Sequence, residues 1–232
     1  MNFLERNIFT KLRADHFHSQ EEMEPMTSFK KKQLEQLMAN ISDFTNDEVA
    51  LSNHFLNYRF QKIVNNERHA IDTSTETLEI LYIIIRNVNG MLNRGIPLLG
   101  VISLGKFLRT KGDKVDFIKL DKWLSKLHLR RMAQLQGSIL IEFFKFEPEE
   151  LPFVTHLESA TQKLTLHALH LSVKDTIEEW HFRQTHTGFV RNNGKILRRN
   201  LRQGLRYFNY APIETTSNFI LHFIRSLSEI EE

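Results

Sequence analysis

The sequence predicts an all-α fold, a mostly antiparallel multi-helix bundle. Apolar residues recur at spacings of three and four along most of the chain, the period of a helix with one buried face. Nine Gly and five Pro are few for 232 residues, and no regular strand–turn alternation appears. The 41% hydrophobic content, with 18 Phe, is enough for a sizeable core. The expected layout is a helical layer over 1–95 and a helical region over 96–232, sharing one core.

The first helix is expected over residues 2–17, with Phe3, Leu4, Ile8 and Leu12 packed on the body. Its charges run throughout and leave no continuous apolar segment, so it does not read as a signal peptide. Gln20 to Pro25 is polar and acidic and reads as a linker. The next helix opens at Lys30-Lys31-Lys32, a solvated face, and buries Leu34, Leu37, Met38 and Ile41. Thr45-Asn46-Asp47-Glu48 has the capping-box form, an N-cap hydroxyl with Glu three residues on. It predicts a long helix with Val49, Phe55, Leu56, Phe60, Ile63 and Val64 inward. Thr73 with Glu76 repeats the form ahead of Leu78 to Leu92. Within that run Ile80 to Ile85 carries the β-branched residues of a strand, but its length and cap favour a buried helix. Gly95-Ile96-Pro97 ends it.

From Leu98 to Phe153 three apolar faces follow with short breaks. The first holds Leu98, Val101, Ile102, Phe107 and Leu108. The second holds Phe117, Leu120, Trp123, Leu124 and Leu127, and the third Leu129, Met132, Leu135, Ile139, Leu140, Phe143 and Phe144. Gly100 to Lys106 imitates the spacing of a phosphate-binding loop. Phe107 stands where a magnesium-holding hydroxyl would be, and no clear strand precedes. Two small residues allowing close helix packing are the better account, with Lys111-Gly112-Asp113 as the turn.

The order within this stretch carries a resemblance. An apolar helix and charged turn lead to Val115-Asp116-Phe117, a Trp-Leu helix, Leu127-His128-Leu129, a long apolar helix, and Pro148-x-x-Leu-Pro-Phe. This resembles the C-terminal helical region of an uncharacterised bacterial nucleotidyltransferase family, often found beside surface-polysaccharide genes. That family usually has Asp-Trp where Asp116-Phe117 stands, and a further Asp-Trp where this chain has Ser103-Leu104-Gly105. The resemblance implies the family's helical part without its catalytic part. The nucleotide-transfer chemistry needs two carboxylates one residue apart to hold a divalent metal, and the chain has no Asp-x-Asp. Glu147-Pro148-Glu149 is the nearest imitation, but Pro148 makes a poor central strand, so it reads as a helix end.

No Cys is present, which excludes disulfides and thiolate sites. His167 and His170, three apart, and His181 and His186, five apart, lack the spacing and acidic partner of a helical zinc site. His167 and His170 are expected along a helix beside Leu164, Leu166, Leu169 and Leu171. No catalytic set, metal site or cofactor is identified. No apolar run reaches about 18 residues, so no membrane span is expected, and a cytoplasmic location is.

The net charge of +3 is uneven. Residues 1–97 carry 11 basic and 13 acidic groups, leaving 20 and 15 for the remainder. Trp180 to Ile213 contains no Asp or Glu in 34 residues. Within it Arg191, Lys195, Arg198, Arg199, Arg202 and Arg206 fall in one sector about 100° wide if helical. Leu197, Leu201, Leu205 and Phe208 form a separate stripe expected to be buried. A last helix is expected from Glu214, with Phe219, Ile220, Phe223, Ile224 and Leu227 apolar. The expected function is a non-catalytic interaction domain, meeting an anionic or protein partner through the six cations. A helical subunit of a two-chain nucleotidyltransferase and a sequence-independent nucleic-acid binder are the alternatives.

Overall fold

The structure is a computed structural model, and it describes residues 1–39, 41, 49–70, 74–169, 201–202 and 204–228. Among the described residues every regular element is helical and no strand occurs, as the periodicity predicts.

Helix α1 spans Phe3–Phe17. Asn2 caps it by accepting the Glu5 N–H, and Glu5 returns the bond to the Asn2 N–H. His18 stops it in the left-handed conformation. Ile8, Phe9 and Leu12 are buried, whereas Phe3 and Leu4 are half-buried, so the inward face turns toward Phe9. The Phe9 ring lies 4.4 Å from Phe143 and 5.9 Å from Phe144, centroid to centroid. The acidic linker is strapped down. Arg6 pairs with Glu24 at 2.6 Å, and Glu21 bridges Arg13 at 2.6 Å and Lys145 at 2.7 Å. Bonds from Lys145 and Arg13 pull the Glu21 carboxyl down to about 2. Helix α2, Ser28–Ala39, buries Leu34 alone; Lys30 lies over the Phe3 ring, and Lys31 and Lys32 are exposed.

Helix α3 spans His54–Arg68. The expected cap at Thr45–Glu48 lies outside the described residues, and positions 49–52 are not helical. Asn53 is the cap instead, accepting the Leu56 N–H at 3.0 Å. Leu56, Phe60, Ile63 and Val64 face inward, but Phe55 is 76% exposed because it lies about 100° off that stripe.

Helix α4, Thr75–Asn93, settles Ile80 to Ile85 as helix. Ile80, Leu81, Ile84, Ile85, Val88 and Met91 are wholly buried, and that tertiary burial outweighs the strand propensity of β-branched residues. Thr73 lies outside the described residues; Ser74 precedes the helix and pairs its hydroxyl with Thr77. Gly95, at φ 103°, closes the end as expected.

Helices α5 (Leu98–Lys111), α6 (Phe117–Lys126) and α7 (Arg130–Phe144) are the three predicted from the apolar faces. Gly100 and Gly105 sit inside α5, at contacts with Asn87 and with Leu140 and Phe146, so the loop-like glycines are packing residues. Asp116 caps α6 by accepting the Lys119 N–H at 2.9 Å. The acid of the family-like motif thus has a local structural task. His128, left-handed, turns the chain into α7, and the Leu129 N–H returns to the Leu124 carbonyl. Residues Met132 to Leu140 are buried without interruption, which makes α7 the central helix. Its buried Gln136 accepts from Asn87 at 2.9 Å and donates to the Ile84 carbonyl at 3.2 Å. A 3₁₀ turn over Pro148–Glu150 follows, held by Arg109 on Glu150 at 2.9 Å.

Helix α8 covers 161–169, α9 covers 201–202 and 204–207, and α10 spans Pro212–Ser228. One hydrophobic cluster runs from Ile8 through α4, α5 and α7 to Tyr207, Tyr210 and Ala211, joining both sequence halves.

Candidate anion-binding site

Of the six predicted cations, Arg202 and Arg206 are described, both on α9; Arg191, Lys195, Arg198 and Arg199 lie outside the described residues. Arg202 is exposed. Arg206 is half-buried, with Nη1 3.5 Å from His167 Nδ1 on α8. His170, His181 and His186 lie outside the described residues, and no group of three or more metal-ligating side chains occurs among those described.

The helix carrying these arginines sits differently from the expectation. Leu201, Leu205 and Phe208 are exposed, not buried. Tyr207, Tyr210 and Ala211 are buried in their place, and Gly204 brings α9 close to Thr215 of α10. Burial raises the Tyr207 and Tyr210 pKa values, so both stay neutral phenols.

A buried carboxylate anchors this corner. Glu158 accepts from Arg131 Nε at 3.2 Å and Nη2 at 3.0 Å, and from Gln134 Nε2 at 3.0 Å. Its own N–H donates to Ser138 Oγ at 3.2 Å. The exposed His156 ring contacts Gln134 at 2.8 Å. Arg131 also donates to the Asn209 carbonyl at 2.8 Å, and its guanidinium lies 5.0 Å from the Tyr210 ring centroid. The hydrogen bond to Glu158 raises the Arg131 pKa further. The sequence reading missed Arg131 and Glu158. A signal was present: Arg130-Arg131 opens α7, where the helix dipole favours anions, so a cation there implies a carboxylate partner.

A second polar seam fixes α10. Glu214, 1% exposed, accepts the Asn53 N–H at 3.2 Å and a shorter bond from the Ser52 N–H at the start of α3. Asn53 donates to Ser217 at 2.8 Å, Asn218 to Asn93 at 3.1 Å, and His222 contacts Asn93 at 2.8 Å. Burial raises the Glu214 pKa, partly offset by those two backbone donors. The folded state therefore holds this proton more tightly than the unfolded chain. The resulting stability is full below the ordinary carboxylate value and is lost as pH rises through the raised folded value. Relative to Glu214→Gln, the parent protein should lose stability as pH rises from the ordinary carboxylate value through the raised folded value. Urea midpoints of both proteins across that range check this; a constant difference would contradict it.

The site that results is a helical turn bearing Arg202 and Arg206, fixed to the core by Tyr207, Tyr210 and the Arg131–Glu158 pair. Such an arrangement can attract and position an anion. In comparisons with known proteins, no family model matches the chain, and neither a curated protein nor a solved structure matches it.

Proposed function

We propose that the chain is a helical binding domain, not catalytic on its own, that meets an anionic partner through the basic side of α9. The observation that carries this is the exposed Arg202 beside Arg206 at the end of a 34-residue stretch with no acidic residue, on a turn anchored to the core. With no carboxylate of that stretch to neutralise them, these cations add to a positive local field that attracts anions. The segment's other cations extend the same charge in sequence.

Replacing Arg202 and Arg206 together by Gln should abolish low-salt binding to heparin, a soluble polyanion, while the melting temperature stays nearly unchanged. A substitution at an exposed position such as Arg202 shifts stability by less than about 0.5 kcal/mol. An unfolded or strongly destabilised double variant would make the arginines structural and end this reading. The alternative, a helical subunit completing a nucleotidyltransferase site on a second chain, is supported by the order of elements over 98–153 alone. A thermal-shift response to nucleoside triphosphate with magnesium would favour it.

A further inference from the structure

Helix α10 lies on the protein by its polar side. Glu214 and Thr215 are buried, and Asn218 and His222 bond to Asn93. Ile213, Ile220 and Ile224, at offsets of seven and four, form one stripe on the other side, and Ile224 is 55% exposed. An ordinary surface helix points its apolar stripe at the core; this one is reversed. On α9, Leu201, Leu205 and Phe208 likewise form one exposed stripe, with Leu205 66% exposed and Arg202 beside it. Aliphatic side chains bordered by arginine are the chemistry of helices that lie in a bilayer interface. The absence of acidic residues from 180 to 213 favours an anionic surface over a neutral one. Six of the eight exposed large apolar side chains described on α9 and α10 are aliphatic, Phe208 and Phe223 being the two rings. Aliphatic groups offer no faces on which nucleic-acid bases stack, so the pattern fits lipid better than single-stranded nucleic acid. No helix among the described residues is long and apolar enough to cross a membrane.

We propose that the outer sides of α9 and α10, bordered by Arg202, form a docking surface for an anionic lipid bilayer. This rests on the anion-binding reading of α9 and names its partner. The apolar side chains enter the interface while the arginine meets headgroup phosphates.

Co-sedimentation with phosphatidylcholine vesicles, with and without phosphatidylserine, tests it, with heparin binding measured in parallel. The protein should pellet with the phosphatidylserine vesicles at low salt. Leu205→Glu with Ile220→Glu should cut that binding at least about tenfold. Leu205→Ser with Ile220→Ser, which adds no charge beside Arg202, should weaken vesicle binding in the same direction and leave heparin binding in place, with circular dichroism reporting the fold of both. Heparin binding without vesicle binding would overturn the lipid proposal alone. Loss of both would overturn the anion-binding reading with it. A dimer that the glutamate pair dissociates, with no vesicle binding, would assign the apolar surface to a second copy and also overturn the proposal.

Discussion

Leu140→Ala should lower the free energy of unfolding by about 2–5 kcal/mol. Leu140 is wholly buried on the central helix α7, and its Cδ2 lies 2.8 Å from where a side chain on Gly105 would begin. The space it fills is bounded by α5 and by Phe146, whose ring tip reaches the same point. Phe146 is itself fixed, because its N–H returns to the Leu140 carbonyl at 3.2 Å and Arg109 lies over its ring at 3.9 Å. A truncated side chain therefore leaves a cavity that its neighbours cannot readily close. Chemical denaturation measures the loss. A change under about 0.5 kcal/mol, as at a surface position, would contradict the place given to α7.

Gly100→Ala should be the other costly change, through a polar contact. A methyl group at Gly100 would lie 2.1 Å from Asn87 Oδ1. Asn87 is buried and donates to Gln136 at 2.9 Å, and Gln136 in turn donates to the Ile84 carbonyl. The asparagine must move, which costs about 1–3 kcal/mol in overpacking. If its bond to Gln136 breaks, an unsatisfied buried amide adds about 1–3 kcal/mol. Gly105→Ala should be milder, since a methyl there meets Leu140 and Phe146 at 2.8 Å and overpacks the core without putting a buried hydrogen bond at risk. Equal unfolding free energies for Gly100→Ala and the parent would show that α4 and α5 do not approach this closely.

Local pattern gave the helices whose apolar residues have no competitor. Trp123, Leu127, Leu140 and Phe143 were expected in the core and are buried, and the α4 isoleucines are helical. It misplaced elements decided by distant partners. Helix α3 is capped by Asn53, where the Ser52 and Asn53 N–H groups meet Glu214 from the far end of the chain. The same bond turns the polar side of α10 inward, which no spacing rule within α10 could indicate. On α9, periodicity picked out Leu201, Leu205 and Phe208 as the buried stripe, whereas Tyr207, Tyr210 and Ala211 are buried and that stripe is exposed. The site is legible in part, because the acid-free stretch and its arginines are plain in the sequence. The Arg131–Glu158 anchor is legible by half, as a cation at the start of α7 that needs a carboxylate, because that carboxylate lies in a separate segment that no local pattern identifies.

The anion-binding role of α9 is tested most directly by heparin affinity across a salt series, for the parent protein and for Arg202→Gln. Counterion release predicts that the logarithm of the affinity falls linearly with the logarithm of salt concentration. Removing the exposed Arg202 should flatten that slope by roughly one, with no change in melting temperature. An unchanged slope, or no binding by the parent protein at the lowest salt, would contradict the role proposed for this helix.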